Sequence, residues 1–229
     1  MLDCSSLEAV QEKMAASAAR AGRDLSEIRL LAVSKRKPVS AIETLFRCGQ
    51  RLFGENYVQE AMEKLDHLSG EVRRSSSWHF IGHLQRNKVK YVIRYFDLIQ
   101  TVDSVRLGRE ISRRAEAAGR VMPVFIQVNI GQDPAKSGVL PDELPGLLEG
   151  LLDLPGLKVS GLMTIPPFSS NLQETRRYFR EMRRLKEDMD PAGKVLKELS
   201  MGMSGDFHVA IEEGATIVRI GTALFGPRD

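Results

Sequence analysis

Lys35 stands directly after a short apolar run, IRLLAVS (28–34), and is followed by Arg36 and Lys37. A lysine at the end of a buried strand gives up its proton more readily when desolvated or set among other cations. The neutral amine is the form that condenses with an aldehyde, so imine chemistry is open to this side chain. The bland alternative is a surface lysine in a basic Lys35-Arg36-Lys37 loop. Near the other end of the chain, two loops are rich in small and hydroxyl residues: LSMGMSGD (199–206) and RIGTALFG (219–226). Small residues let backbone N–H groups approach a phosphate, and Ser200, Ser204 and Thr222 add hydroxyl donors. Ordinary turns use the same residues. Arg219 precedes Gly221 by two positions and leans to the same side of a strand. A buried arginine needs acceptors. It could face a pyridine nitrogen and hold it unprotonated, because guanidinium donates without giving its proton up. It could equally pair with Glu212 or Glu213.

Other constellations carry less. His79 and His83 are four apart, but the Glu of H-E-x-x-H is missing and no third ligand is suggested, so no metal is expected. Trp78 and Phe80 read as strand core, and Met201 and Met203 as loop packing. The pairs Arg113–Arg114, Arg176–Arg177 and Arg183–Arg184 have acidic neighbours and read as solvated helix faces.

These groups act only if a scaffold brings them together, and the chain alternates accordingly. A helix is predicted over 3–21, a strand over 28–34, and a helix from Pro38 to Arg47. RLFGEN (51–56) precedes a helix over 57–66, and WHFIG (78–82) a helix near 86–95. DLIQTV (97–102) leads to Ser104, an N-cap for 105–118. MPVFIQVNI (122–130) is the clearest strand, followed by a helix near 141–152 and the strand LKVSGLMTI (157–165). Asn171 and Glu174 suggest a capping box for a long helix with Leu172, Thr175, Phe179, Met182 and Leu185 on one face. VLKELS (195–200) is a weaker strand, Asp206 caps FHVAIEEG, and ATIVRIG (215–221) is the last strand. Eight strand-plus-helix units imply an α/β fold with a parallel sheet, closed as a (β/α)₈ TIM barrel with an extra N-terminal helix. A doubly wound open sheet is the alternative, although no G-x-G-x-x-G follows the first strand. In a barrel the working residues sit at strand C-termini. Here those are Lys35, Asn56, Gly82 with His83, Thr101 with Asp103, Asn129, Thr164, Ser200 with Ser204, and Arg219 with Gly221 and Thr222.

Bulk properties narrow the partners. The 229 residues suit a single domain spanning 1–229, with 42% hydrophobic and 28% charged residues. A net charge of +3 from 33 basic and 30 acidic side chains is not that of a nucleic-acid binder. Cys4 and Cys48 offer no metal spacing, and no disulfide framework is expected of them. The N-terminus lacks a secretory pattern, and no apolar run approaches the roughly 20 residues that span a bilayer. A cytoplasmic protein away from membranes is expected.

The blocks AVSKRKP (32–38), FGENYVQE (53–60), WHFIGHLQRNK (78–88), TVDS (101–104), VNI (128–130), GLMTI (161–165), LSMGMSGD and VRIGTALFG resemble, in order and spacing, the YggS/PROSC family of pyridoxal 5′-phosphate (PLP) binding proteins, the pyridoxal phosphate homeostasis proteins. The resemblance runs from about residue 7 to 228. It implies the barrel of fold-type III PLP enzymes, similar to the N-terminal domain of alanine racemase. It also implies Lys35 as the Schiff-base lysine and Arg219 opposite the pyridine nitrogen. Ser204, Gly221 and Thr222 would bind the phosphate, with Ser200 as a helper, and Asn56, His83 and Met163 would line the pocket. Arg36 departs from the family, where Thr is frequent. The implied function is carriage of PLP in vitamin B6 and amino-acid homeostasis without efficient turnover, by a monomer with PLP-dependent apoenzymes as recipients. Two alternatives remain: an amino-acid racemase, and a phosphate-sugar enzyme using Lys35 without PLP. Alanine racemases draw a second catalytic group, a tyrosine, from a further β-domain. The barrel is expected to take up this whole chain, leaving Tyr57, Tyr91, Tyr95 and Tyr178 outside any such domain. The strand ends are poor in carboxylates, with Asp103 the main candidate for an aldolase-type shuttle.

Overall fold

A computed structural model describes residues 3–226. Its eight parallel strands follow one another round a closed barrel in chain order, and β1 pairs with both β2 and β8. The strands are β1 (Arg29–Val33), β2 (Leu52–Glu55), β3 (Ser77–Phe80), β4 (Leu98–Val102), β5 (Met122–Gln127), β6 (Leu157–Met163), β7 (Glu198–Ser200) and β8 (Ile217–Ile220). Between them lie α2 (Val39–Arg47), α3 (Val58–His67), α4 (Gly70–Ser75), α5 (Val89–Tyr95), α6 (Val105–Ala117), α7 (Leu144–Leu152), α8 (Leu172–Met189) and α9 (Phe207–Glu212). α1 (Ser5–Arg20) precedes the barrel and α10 (Thr222–Phe225) follows β8. β4 is buried at every position and β5 at all but Pro123, as parallel strands under helices require. No helix among the described residues is long and apolar enough to cross a membrane.

Several local expectations shift. α4 was not anticipated, because Val72 is its only buried residue; Ser69 caps it by accepting from Val72 N. β7 is shorter than 195–200, since the Asp190 carboxylate takes the N–H groups of Val195 (2.6 Å) and Leu196 (2.7 Å) out of the ladder. β5 stops at Gln127, and Val128 makes only an isolated bridge to Val139. Asn171 caps α8 through Gln173 N, but Glu174 accepts from Ser169 Oγ and closes no capping box. Leu172 is exposed and leaves the apolar face to Thr175, Phe179 and Met182.

The cysteines require a correction. Cys4 and Cys48 form a disulfide, with Cα atoms 5.4 Å apart. The 44 residues between them concealed that the start of α1 lies beside the end of α2. α1 buries Leu7, Val10, Met14 and Ala18 and packs against α9 and α10, bridging the first and last units of the barrel. Arg23 reinforces this contact by donating from Nη1 to the carbonyls of Ile211 (2.9 Å) and Ala215 (2.8 Å).

Inside the strands, Leu31, Ile81, Leu98, Phe125, Met163 and Ile217 form an apolar plug. His79 is also buried, and burial, with Arg29 adding to it, pushes its pKa down to about 3. Above pH 6.5 the imidazole is neutral in folded and unfolded chains alike. Below that, the unfolded chain takes up a proton that the folded chain refuses until about pH 3, so stability falls with falling pH. The expected slope is at most about 1.4 kcal/mol per pH unit. Urea titrations between pH 4 and 7 check this: His79→Gln should remove that part of the slope, and equal slopes in both proteins would refute it.

Candidate functional site

The C-terminal mouth of the barrel opens into a cavity of about 240 Å³. Lys35, Asn56, Ser204, Gly205, Arg219, Gly221 and Thr222 line it. Val33, Ile81 and Ile165 give it apolar walls.

Lys35 is presented by a tight turn. Ser34 N donates to Gly54 O (3.0 Å), and Lys37 N donates to Ser34 O (3.1 Å). Arg36 takes a φ of 58°, a left-handed conformation sparsely populated by residues with a side chain. Its N–H donates to the Glu60 carboxylate, which holds the turn closed. Behind the turn is a buried ionic network that the sequence reading missed. Lys64 Nζ donates to Glu55 Oε1 (2.7 Å), Glu60 Oε1 (2.6 Å) and Ser34 O (2.7 Å), and Ser34 Oγ donates to Glu55 Oε1 (2.7 Å). Burial pushes the fully buried Glu55 carboxyl up, opposed by Lys64 and the Ser34 hydrogen bond. Glu60 and Lys64, four apart on one helix, were the available signal.

Another part of the lining is the loop that precedes α9. Asp206 does not cap α9 with its side chain; its Oδ1 instead accepts from Met203 N (2.6 Å). Burial pushes the Asp206 carboxyl up, against the opposing effects of that hydrogen bond and of Arg219. Gly202 has a φ of 91°, and a Cβ there would lie 2.5 Å from Ala210 Cβ, so only glycine fits the bend. Ser204 Oγ accepts from Ala223 N at 3.4 Å, linking the two loops. Among the described residues, the backbone N–H groups of Ser204, Gly205 and Thr222 have no protein acceptor, so they remain available to an anion.

Arg219 makes no ion pair with Glu212 or Glu213, which engage Arg20, Arg176, Arg180 and Arg183 on the outer surface. Its Nη1 donates to Ser200 Oγ (2.8 Å) and its Nη2 to Thr164 O (2.7 Å). Burial pushes its pKa down to about 10, with Asp206 opposing, so the guanidinium stays charged at neutral pH.

Lys35, Asn56, Ser204, Arg219, Gly221 and Thr222 therefore share one cavity. Ser200 lies behind Arg219, and Met163 is fully buried in the plug below the mouth. His83 is exposed and lines a separate groove with Arg86, Asp103 and Arg106. The chain turns away at Gly82, whose carbonyl accepts from Thr101 Oγ (2.7 Å). A Cβ at Gly82 would lie 2.0 Å from Asn56 O, so the backbone passes too close for any side chain. Lys37 and Met203 also reach the cavity, although the sequence reading treated them as loop residues. Asn56 Oδ1 is buried without a hydrogen-bond partner.

Residues 5–229 match the family described as alanine racemase, N-terminal domain. The pyridoxal phosphate homeostasis protein of Aquifex aeolicus is 46% identical over 226 residues, covering 98% of each chain. PipY of Synechococcus elongatus, solved with PLP bound, superposes with a TM-score of 0.80 at 36% identity, over 95% of this chain and 100% of that one. An alanine racemase of Clostridium difficile shares the fold at 16% identity and a TM-score of 0.70, with 95% of this chain matching 56% of that one.

Proposed function

The chain belongs to the pyridoxal phosphate homeostasis proteins, a family built on the alanine racemase N-terminal barrel, and on that premise we propose that it holds PLP covalently at Lys35 and serves cellular PLP balance without efficient turnover. One observation carries the reading: a single cavity is lined by Lys35, by the hydroxyl residues Ser204 and Thr222, by a charged Arg219, and by backbone N–H groups with no acceptor among the described residues. The donor set suits the group. The Ser204–Gly205 and Gly221–Thr222 loops would hold the phosphate, and Val33, Ile81 and Ile165 offer apolar surface for the ring. Asn56 Oδ1, a buried acceptor without a partner, suits a hydroxyl donor on the ligand.

PLP supplies an aldehyde that a neutral amine can capture, and a ring that withdraws electrons from the resulting bond. The protein binds and orients. Ser204, Gly221 and Thr222 would hold the phosphate, Arg219 would donate toward the ring nitrogen and keep it unprotonated, and the Ser34–Lys37 turn presents Lys35. Ser200 supports Arg219 from behind.

The lining also bears on turnover. Among the described residues, the only titratable side chains lining the cavity are Lys35, Lys37 and Arg219. Tyr57 stacks on Arg36, with the guanidinium carbon 5.5 Å from the ring centroid, and does not line the cavity. Racemisation needs a positioned acid and base on opposite faces, each typically worth about 10²–10⁴-fold. The reading extends to the cytoplasm as its compartment and to PLP-dependent apoenzymes as recipients.

The test begins with colour. Added PLP should give a visible absorption band that hydroxylamine removes, and a protein that stays colourless would refute PLP attachment. Deuterium exchange and chiral analysis of alanine and serine with the loaded protein should give only trace turnover. A rate near 1 s⁻¹, the low end of ordinary enzymes, would restore the racemase alternative. Thr222→Ala should weaken PLP binding roughly tenfold, since a hydrogen bond to a charged group contributes about 1.5–3 kcal/mol and 1.4 kcal/mol is one decade. Fluorescence titration checks this, and an unchanged Kd would remove Thr222 from the phosphate site.

A further inference from the structure

The barrel interior holds a line of polar side chains running away from the cavity. Arg219 on β8 donates through Nη1 to Ser200 Oγ on β7 (2.8 Å). Ser200 Oγ donates to Gln100 Oε1 on β4 (2.6 Å). Gln100 Nε2 meets His79 Nδ1 on β3 at 2.9 Å. All four residues are buried, and together they cross the barrel.

The directions along this line follow from counting protons. A serine hydroxyl carries one, and Ser200 gives it to Gln100 Oε1, leaving lone pairs to accept from Arg219. With the Gln100 carbonyl engaged by Ser200, the amide N–H₂ is the group that faces His79. His79 Nδ1 must then accept, and the ring proton lies on Nε2. We propose that Gln100 and His79 are positioning residues for Arg219: they lock the Ser200 hydroxyl into the accepting role, so that the guanidinium is fixed on its barrel side and presents its remaining N–H groups to the ring nitrogen of bound PLP. This rests on the PLP reading above.

Two further observations agree. Thr164 O fixes the second amino group of Arg219 at 2.7 Å, so the Ser200 contact completes a two-point clamp. Burial keeps His79 neutral at physiological pH, and an imidazolium would have no acceptor to offer Gln100. The competing order reverses the line. His79 Nδ1–H would donate to a flipped Gln100, whose amide would donate to Ser200. The Ser200 proton would then be released from the chain and free to turn.

The His79 tautomer separates the two orders without any cofactor. Nitrogen NMR of ring-labelled histidine in PLP-free protein, assigned with His79→Gln, should show Nδ1 unprotonated and Nε2 protonated at neutral pH; a protonated Nδ1 overturns the proposal. The second measurement uses protein loaded with ring-labelled PLP. Gln100→Leu, of similar size, removes both links and should move the ring-nitrogen resonance, shift the visible band and weaken PLP binding roughly tenfold. His79→Gln keeps an acceptor for Gln100 and should leave the resonance at its parent position. A parent-like ring nitrogen in folded Gln100→Leu overturns the proposal. If PLP fails to bind the parent protein, the function reading falls and the positioning role falls with it. If PLP binds and the ring nitrogen ignores Gln100, only the positioning role falls.

Discussion

Lys35→Ala should abolish covalent retention of PLP. Borohydride reduction of the loaded parent protein, followed by proteolysis and mass spectrometry, should place one pyridoxyl group on the peptide carrying Lys35; the variant should carry none. Two lysines line the cavity, but Lys37 Nζ donates to Phe225 O (3.2 Å) and is drawn toward the C-terminal turn. Lys136 does not line the cavity, and its Nζ donates to the carbonyls of Ile165 and Pro166. Lys35→Arg keeps the charge but cannot condense with an aldehyde, so it should also go unlabelled while still binding PLP through the phosphate. A label that moves to Lys37 or Lys136 would show that the cavity captures aldehydes without the orientation argued for Lys35.

The second large effect is on stability. Lys64→Met should cost about 3–5 kcal/mol, the range for breaking a buried ion pair by removing one partner. Glu55 is fully buried, its Oε2 has no hydrogen-bond partner, and Lys64 is its cationic contact. Removing the ammonium pushes the Glu55 carboxyl further up than burial already does. The folded variant then binds a proton more readily than its unfolded chain, so the penalty should shrink as pH falls toward the range where Glu55 is protonated. Glu55→Gln combined with Lys64→Met should recover much of the loss, because the amide needs no counterion. Urea denaturation at pH 5 and pH 7.5 for the parent protein and the two variants provides the check. A cost below about 1 kcal/mol, the range of exposed pairs, would mean that water reaches the network.

The contrast between these two sites explains what could be read in advance. Lys35 was visible because it directly follows a short, nearly continuous apolar run, and strand ends are where a barrel exposes chemistry. The Ser- and Gly-rich loops before α9 and α10 were visible for the same reason. Closure of the barrel was legible from the alternation of eight short runs with helices. What sequence could not supply was pairing across space. His79, Gln100 and Ser200 are spread over more than half the chain, and each alone looks like an ordinary strand residue. Glu55 sat in the FGEN block without a visible partner until α3 brought Lys64 above it. The resemblance implied His83 as pocket lining, but among the described residues it lines a separate groove with Arg86, Asp103 and Arg106. Asp206 was read as a cap from its place before a helix, yet its carboxylate accepts from Met203 N.

The disulfide between α1 and α2 gives the seam of the barrel a behaviour of its own. A terminal helix is normally the first element to fray and the easiest to lose. Here α1 packs over the units that meet where β8 closes onto β1, and its start is bonded to the second helix of the chain. When α1 lifts away, it stays tethered a few ångströms from its groove. It returns at a high effective concentration instead of by a search through the open chain. Reduction should let α1 open more often and uncover the elements it packs against. Amide exchange in α1, α9 and α10 should therefore speed up on adding reductant, with little change in β3 and β4. In this way α1 and its disulfide guard the contact where β8 closes onto β1.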